Sequence, residues 1–346
     1  MENNVHTVRV NIDWKLLAIM SELYSFDGAW EFLEQQKSSD LQQLREIATI
    51  RSVGASTRIE GAKMTNQEIT LFLDKIDITE VKDRDQAEVL GYFEVLDTII
   101  ESYENIPINE TTIQHFHNML MRHSPKDAWH KGKYKQQDNA VQATLPSGES
   151  QIIFQTTPVG FPTQIAMENL ISWYNKDKET AVLVKCAIFV YEFLSIHPFQ
   201  DGNGRMSRLL TTLLLLKEGY KWIQYVSFEH EIESKKVEYY KALRTCQANR
   251  PNEDTTPWVL FFFNAIRNIQ GQLKEKLDRR NAKLELAPKE KEILGVIEKY
   301  SLISSSQISE KLSIPAPTVK RLLRQLLDKK LIQKEGSGRA VRYRQN

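Results

Sequence analysis

Cysteine is almost missing from this chain. Cys186 and Cys246 are the only two in 346 residues, they lie far apart, and neither forms a C-x-x-C pair. A disulfide framework and a cysteine-built zinc site are therefore excluded. Long apolar runs are missing too. Leu213 to Leu216 is short and flanked by polar residues, far below the roughly 20 residues that a membrane span requires, so no membrane partner is expected. The opening Met1-Glu2-Asn3-Asn4 lacks the basic and apolar character of a secretory leader, which predicts a cytoplasmic protein. There is no internal repeat, no low-complexity tract and almost no net charge, +1 from 46 basic and 45 acidic residues. What remains is 41% hydrophobic and 26% charged, ordinary for globular domains and long enough for two or three of them.

One stretch stands out: His197-Pro198-Phe199-Gln200-Asp201-Gly202-Asn203-Gly204-Arg205-Met206-Ser207-Arg208. Leu183, Ala187, Tyr191 and Leu194 recur at helical spacing before it, and Met206, Leu209, Leu210 and Leu213 after it. The spacing predicts a tight loop feeding a helix N-terminus, where free N–H groups and the helix dipole attract phosphate. Gly202 and Gly204 let the backbone come close to an anion, and Asn203 can donate to it. Arg205 and Arg208 share a face of the first turns, where cations are unfavourable unless an anion offsets them. A polyphosphate laid across the loop would supply that anion. His197 is a candidate base and Asp201 a candidate metal ligand. Taken singly, each also suits a bland role, a helix-end histidine or an N-cap aspartate.

The pattern H-P-F-x-D-G-N-G-R-x-x-R resembles the signature of Fic proteins, which transfer the AMP part of ATP to protein hydroxyls. The resemblance implies that His197 takes the proton from a Ser, Thr or Tyr hydroxyl of a protein target. It implies that Asp201 holds Mg²⁺, that Asn203 and the backbone of Gly202 and Gly204 bind the α-phosphate, and that Arg205 and Arg208 hold the β- and γ-phosphates. Tyr239-Tyr240 resembles a tyrosine pair lining the adenine pocket of these ATP-binding enzymes, though core packing explains two tyrosines equally well. Gln247 stands where several relatives carry Asn, and Lys135 where Arg is expected.

A second stretch, Ser56-Thr57-Arg58-Ile59-Glu60-Gly61, resembles the inhibitory motif [S/T]-x-x-x-E-[G/N] of the same family. There the glutamate pairs with the second signature arginine, which implies that Glu60 occupies Arg208 and excludes the γ-phosphate. From the residues alone, Thr57-x-x-Glu60 equally reads as a capping box that starts a helix.

The expected fold is mainly α. Residues 1–102 read as a helical region carrying the inhibitory motif at 56–61, with Trp14, Leu17 and Ala18, then Ala29, Phe32 and Leu33, as packing faces. Thr65 to Glu68 reads as a capping box. Residues 103–273 would form the Fic-like core. Between Lys131 and Pro158, Gly132, Gly148 and Pro146 punctuate short runs, predicting a small β-hairpin. By order in the chain it resembles the flap that aligns the target in Fic proteins, about residues 145–158, with Ile152, Ile153, Phe154 and Gln155 at its docking edge. A charge-rich linker is expected from Lys274 to Leu284.

The last segment is a separate electrostatic unit. From Ala287 to Asn346 there are 13 basic and 6 acidic residues, leaving the rest of the chain net acidic. Three helical patterns followed by a basic hairpin around Gly336-Ser337-Gly338 resemble a winged helix-turn-helix over residues 285–346. The readings for it are contact with DNA or a protein-interaction module, including one that makes a homodimer. For the whole chain the leading reading is an autoinhibited, Mg²⁺-dependent protein adenylyltransferase, self-modification included. The rivals are a nucleotide-sensing DNA-binding regulator and an enzyme of this kind that uses another nucleotide or removes AMP.

Overall fold

In the computed structural model, residues 9–36, 38–76, 81–144, 150–300 and 302–345 are described. The chain divides into two compact units, residues 1–270 and 271–346. Helices dominate both, and the only strands among the described residues form two small antiparallel hairpins.

The first unit opens with α1 (Trp14–Gln36) and α2 (Ser38–Ile59), followed by α3 (Asn66–Leu73), α4 (Arg84–Ser102) and α5 (Glu110–Leu120). The capping box expected at Thr65 is present, with Thr65 and Glu68 bonding each other's main-chain N–H groups. The expected packing face of α1 is not the one that is buried. Trp14 is 87% exposed and Leu17 and Phe32 also face outward, while Leu16, Ile19, Leu23 and Trp30 turn inward. Apolar residues lie on more than one side of this helix, so their spacing alone does not select the inner face.

The core of the unit is α7 (Val182–Ile196) against α8 (Asn203–Lys217). Nearly every residue of both is buried; α7 is apolar on most sides, whereas α8 buries Arg205 and Arg208 along with its leucines. Around them lie α6 (Phe161–Lys176), α9 (Phe228–Ser234), α10 (Lys236–Gln247) and α11 (Thr256–Leu284). Gly219, in the left-handed region at φ 95°, ends the run after α8 as expected. The Lys274–Leu284 stretch is helical and forms the C-terminal end of α11. Its charges stand at helix-compatible spacing, with Arg279 over Glu275 and with Leu273 and Leu277 buried on one side.

A hairpin pairs β1 (Ala140–Thr144) with β2 (Ser150–Gln155), in the region where the flap is expected. Ala140 faces Gln155, Val141 faces Phe154 and Gln142 faces Ile152, so Ile153 is the extra residue of a bulge. Residues 145–149 of the expected flap lie outside the described residues.

The second unit contains α12 (Pro288–Tyr300), α13 (Ser305–Leu312), α14 (Ala316–Asp328) and the hairpin β3 (Ile332–Glu335) with β4 (Arg342–Gln345). Ser304 caps α13 in a capping box with Gln307. α14 begins at Ala316, with Pro317 in its first turn, where a missing N–H costs nothing. Ile293, Ile297, Ile308, Val319, Leu323 and Leu326 build a separate core. Three helices and a two-stranded wing make the winged helix-turn-helix that the sequence predicts.

Candidate active site

The loop His197–Gly202 joins α7 to α8. His197 caps α7 in the left-handed region at φ 53°, a conformation that side-chain-bearing residues adopt at a cost. Its Nδ1 lies 3.3 Å from the Leu194 carbonyl. Because only a protonated Nδ1 can donate there, Nε2 is left as the basic nitrogen. Burial, helped by the nearby Lys135 charge, lowers the His197 pKa to about 4, so the ring is neutral near pH 7.

A residue that no sequence motif includes holds the loop. His117, on α5, accepts from the Gly132 N–H through Nδ1 at 2.9 Å and donates from Nε2 to the Asp201 carbonyl at 3.0 Å. Its ring stacks on Phe199 with centroids 3.8 Å apart. Burial lowers its pKa to about 4 as well, which keeps this tautomer in place. No local signal marks His117, because its partners are far along the chain.

Asn203 bonds the loop instead of facing outward. Its amide oxygen accepts from the Phe199 N–H at 2.9 Å and its amide nitrogen donates to the Phe199 carbonyl at 2.7 Å. The side chain expected to meet the α-phosphate therefore braces the turn. Gly202, at φ 78°, is the N-cap of α8, and a side chain there would strike Met121. Asp201 lies beside it with a 51% exposed carboxylate. Burial raises its pKa, but Arg205 and the Gly202 N–H outweigh this and hold the carboxyl below its usual range. An ionised, half-exposed single carboxylate fits Mg²⁺, which keeps most of its shell as water and phosphate oxygen. Among the described residues no group of three metal-binding side chains exists.

The two arginines differ. Arg205 is buried, with its partners at long range, Asp201 at 3.5 Å and Glu88 at 3.7 Å, and its Nε meets no partner. A buried, poorly satisfied guanidinium is suited to an incoming anion. Arg208 is 2% exposed and bound to protein groups. It donates from Nε to the Ser56 hydroxyl at 2.8 Å and from one terminal nitrogen to the Ser56 carbonyl at 3.0 Å and to Glu60 Oε1 at 2.8 Å.

Glu60 follows the last residue of α2, so Thr57 and Glu60 end a helix and do not start one. The Thr57 hydroxyl donates back to Val53 and Gly54 carbonyls, which removes the capping-box alternative. The end of α2 is fixed from outside the motif. Arg58 pairs with both oxygens of Glu233 at 2.7 and 3.1 Å, and Lys236 donates to the Ile59 carbonyl at 2.7 Å. Glu60 thus reaches over the start of α8, where a Cβ on Gly204 would come within 2.5 Å of its Oε1. Burial raises its pKa, but Arg208 and then Arg205 outweigh this and lower it.

Tyr239 is buried against Trp258 and Phe261, and Tyr240 is half-buried with Arg244 at its ring. Both hydroxyls feel the Arg208 and Glu60 charges, and burial raises both pKa values. Gln247 donates to the Ser195 hydroxyl at 3.0 Å on α7. On β2, Phe154 is half-buried and Gln155 exposed, with Ile152 and Ile153 preceding them in the strand.

Comparison with known proteins shows what this region resembles. Residues 107–215 match the Fic/DOC family, and residues 286–346 match the penicillinase repressor family. A Fido domain-containing protein of Dictyostelium discoideum is 29% identical over 129 residues, covering 37% of this chain and 86% of that protein. Protein adenylyltransferase fic-1 of Caenorhabditis elegans is 22% identical over 299 residues, covering 83% of this chain and 53% of that protein. This chain thus spans about half the length of that enzyme. A Fic family protein from Desulfovibrio desulfuricans has the same fold, with a TM-score of 0.65, 23% identity and 98% coverage of both chains. Residues 107–215 are thus similar to the Fic/DOC family, and parts of the chain are similar to protein adenylyltransferases. No helix among the described residues is long and apolar enough to cross a membrane.

Proposed function

We propose that this protein transfers AMP from ATP to a Ser, Thr or Tyr hydroxyl of a protein, its own chain included, and that Glu60 restrains the reaction. The observation that carries the reading is the place of the Glu60 carboxylate. It fills the anion-attracting end of α8, between Gly204 and Arg208, beside His197 and Asp201. An acidic group from another helix stands where a phosphate would be bound.

The chemistry follows from the residues. His197 Nε2, neutral and uncommitted, accepts the acceptor hydroxyl proton as its oxygen attacks the α-phosphorus in line. The new O–P bond forms as the bond to pyrophosphate breaks. Arg205 and, once released, Arg208 stabilise the charge on the leaving pyrophosphate. Asp201 would hold Mg²⁺ together with the nucleotide, and the ion would supply positive charge to the phosphates. Tyr240 lies at the edge expected to take the base.

The test is incubation of the full chain with Mg²⁺ and ATP labelled at the α-phosphate. Label should appear on protein with Glu60→Gly and disappear when His197→Ala is added. A mass increment other than AMP, or loss of pre-attached AMP, would favour a different nucleotide or the reverse reaction. No labelled protein with either chain would overturn the reading.

A second activity belongs to the C-terminal unit. Its match to the penicillinase repressor family, together with exposed Lys320, Arg321 and Arg324 on α14 and Lys334 on the wing, supports binding to duplex DNA. A protein-interaction surface, a homodimer included, predicts no such binding.

A further inference from the structure

Lys135 is among the few lysines buried in this chain, at 3% exposure, and its ammonium spends all three donors within the protein. It donates to Asn139 Oδ1 at 2.9 Å, to the Thr156 hydroxyl at 2.9 Å and to the Ile196 carbonyl at 3.2 Å. Asn139 immediately precedes β1 and Thr156 immediately follows β2, so the two are the feet of the flap. Ile196 is the last residue of α7, next to His197. The neighbouring contacts run the same way. The Lys135 N–H donates to the Pro198 carbonyl at 2.8 Å, and Asn139 Nδ2 donates to the Phe199 carbonyl at 2.9 Å. The Thr156 hydroxyl in turn donates to the Asn139 carbonyl at 2.7 Å.

We infer that Lys135 is a positioning residue that sets the flap against the catalytic histidine, so that an acceptor segment docked on the flap presents its hydroxyl to His197. This rests on the proposed transfer to protein hydroxyls. Lys135 touches no reacting atom; it acts through the flap. The physical reason is that one buried cation joins three acceptors from two ends of a hairpin and the end of a helix, and no other group among the described residues joins all three. A misplacement of about an ångström between acceptor and base is enough to cost a large part of the rate.

A lysine makes this tether titratable. Burial lowers the Lys135 pKa to about 8, with the Asp138 charge opposing that shift. His197 is the other titratable group facing it, and that ring is already neutral at this pH. Below about 8 the ammonium serves three acceptors. Above it the amine has two N–H donors and a lone pair turned toward an oxygen, so one bond is lost and the hairpin loosens. The folded pKa is the lowered one, so the tether is present at neutral pH and is lost as pH rises through about 8.

The experiment uses full chains carrying Glu60→Gly as enzyme and the His197→Ala chain as protein acceptor, with α-labelled ATP and Mg²⁺, from pH 6 to 9.5. With Lys135 present, transfer should fall above about pH 8. Lys135→Arg keeps its charge throughout, so this alkaline limb should flatten. Lys135→Met should lower transfer about tenfold to a hundredfold at every pH, the loss expected from buried bonds to a charge. ATP binding by calorimetry should stay within about twofold, because the nucleotide contacts lie elsewhere. The same limb in Lys135→Arg as in the parent, or undiminished transfer by Lys135→Met, would overturn the assignment while leaving the transfer reaction standing. No transfer by the Glu60→Gly parent would remove the reaction itself and this inference with it.

Discussion

Replacing Glu60 by glycine tests the arrangement most directly. The carboxylate gives Arg208 one charge-assisted hydrogen bond of 2.8 Å, and the arginine side is 2% exposed. The glutamate side chain is 31% exposed, so water screens part of the attraction. A hydrogen bond to a charged group contributes about 1.5–3 kcal/mol net, and screening favours the lower half of that range. Two bonds from Ser56 remain after the substitution, so Arg208 keeps its orientation instead of collapsing into the vacated space. At about 1.4 kcal/mol per factor of ten, transfer should rise roughly tenfold to fortyfold. Glu60→Gln keeps the shape and an oxygen that can still accept, and should fall between the two. Arg208→Ala also removes the brake, yet should gain little, since it deletes a phosphate contact as well. The assay is the initial rate of α-label incorporation into protein, with thermal melts to show that each chain is folded. Unchanged incorporation by a folded Glu60→Gly chain would refute the competition for Arg208.

Three further outcomes are expected. His197→Ala in the Glu60→Gly chain should lose about 10²- to 10⁴-fold in transfer rate while still binding ATP by calorimetry. Because burial depresses the His197 pKa to about 4, the base is neutral above that value, and activity of the released chain should be lost as pH falls through about 4; an acid limb near an ordinary histidine value in the pH–rate profile would contradict a buried ring. Binding of the C-terminal unit to duplex DNA should weaken with salt at a log–log slope of about −0.9 per phosphate contact, measured by fluorescence anisotropy, and deletion of residues 285–346 should abolish it without stopping transfer.

The parts of the site that follow one another in the chain are legible in the sequence itself. The loop and helix from His197 to Arg208 declare themselves through glycine spacing, apolar periodicity and two cations at a helix start. The same holds for the capping box at Thr65 and for the wing. What is not legible depends on contacts between distant segments. His117 holds the loop from α5, 84 positions from its Asp201 partner. Arg58 and Lys236 fix the end of α2 through α9 and α10, and nothing in their neighbourhoods announces it. Thr57 and Glu60 show a local ambiguity: the same spacing fits the start of a helix or its end, and only the packing of α2 decides. Charge density misleads at Lys274–Leu284, where a run of charges forms a helix because none of them interrupts the backbone ladder.

On the proposed function, the start of α8 has room for either a carboxylate or a phosphate, and that follows from one residue. Gly204 leaves the space into which Glu60 Oε1 fits, and a Cβ there would overlap it. The same missing Cβ lets a phosphate oxygen approach the first turn. The contest is unequal, because Glu60 is tethered. Its helix end is pinned by Arg58 to Glu233 and by Lys236 to the Ile59 carbonyl, so the carboxylate samples little space and its local concentration is high, in the millimolar range or above for a short tether. On the proposed function, the terminal phosphate of a bound nucleotide would meet that tethered carboxylate at Arg208, while Arg205 is poorly satisfied by its long contacts. On the proposed function, nucleotide would then bind through Arg205 and the glycine loop with its terminal phosphate excluded from Arg208. Occupancy and turnover would be separate properties: the brake lowers the rate at saturating ATP, and adding more nucleotide would not restore it.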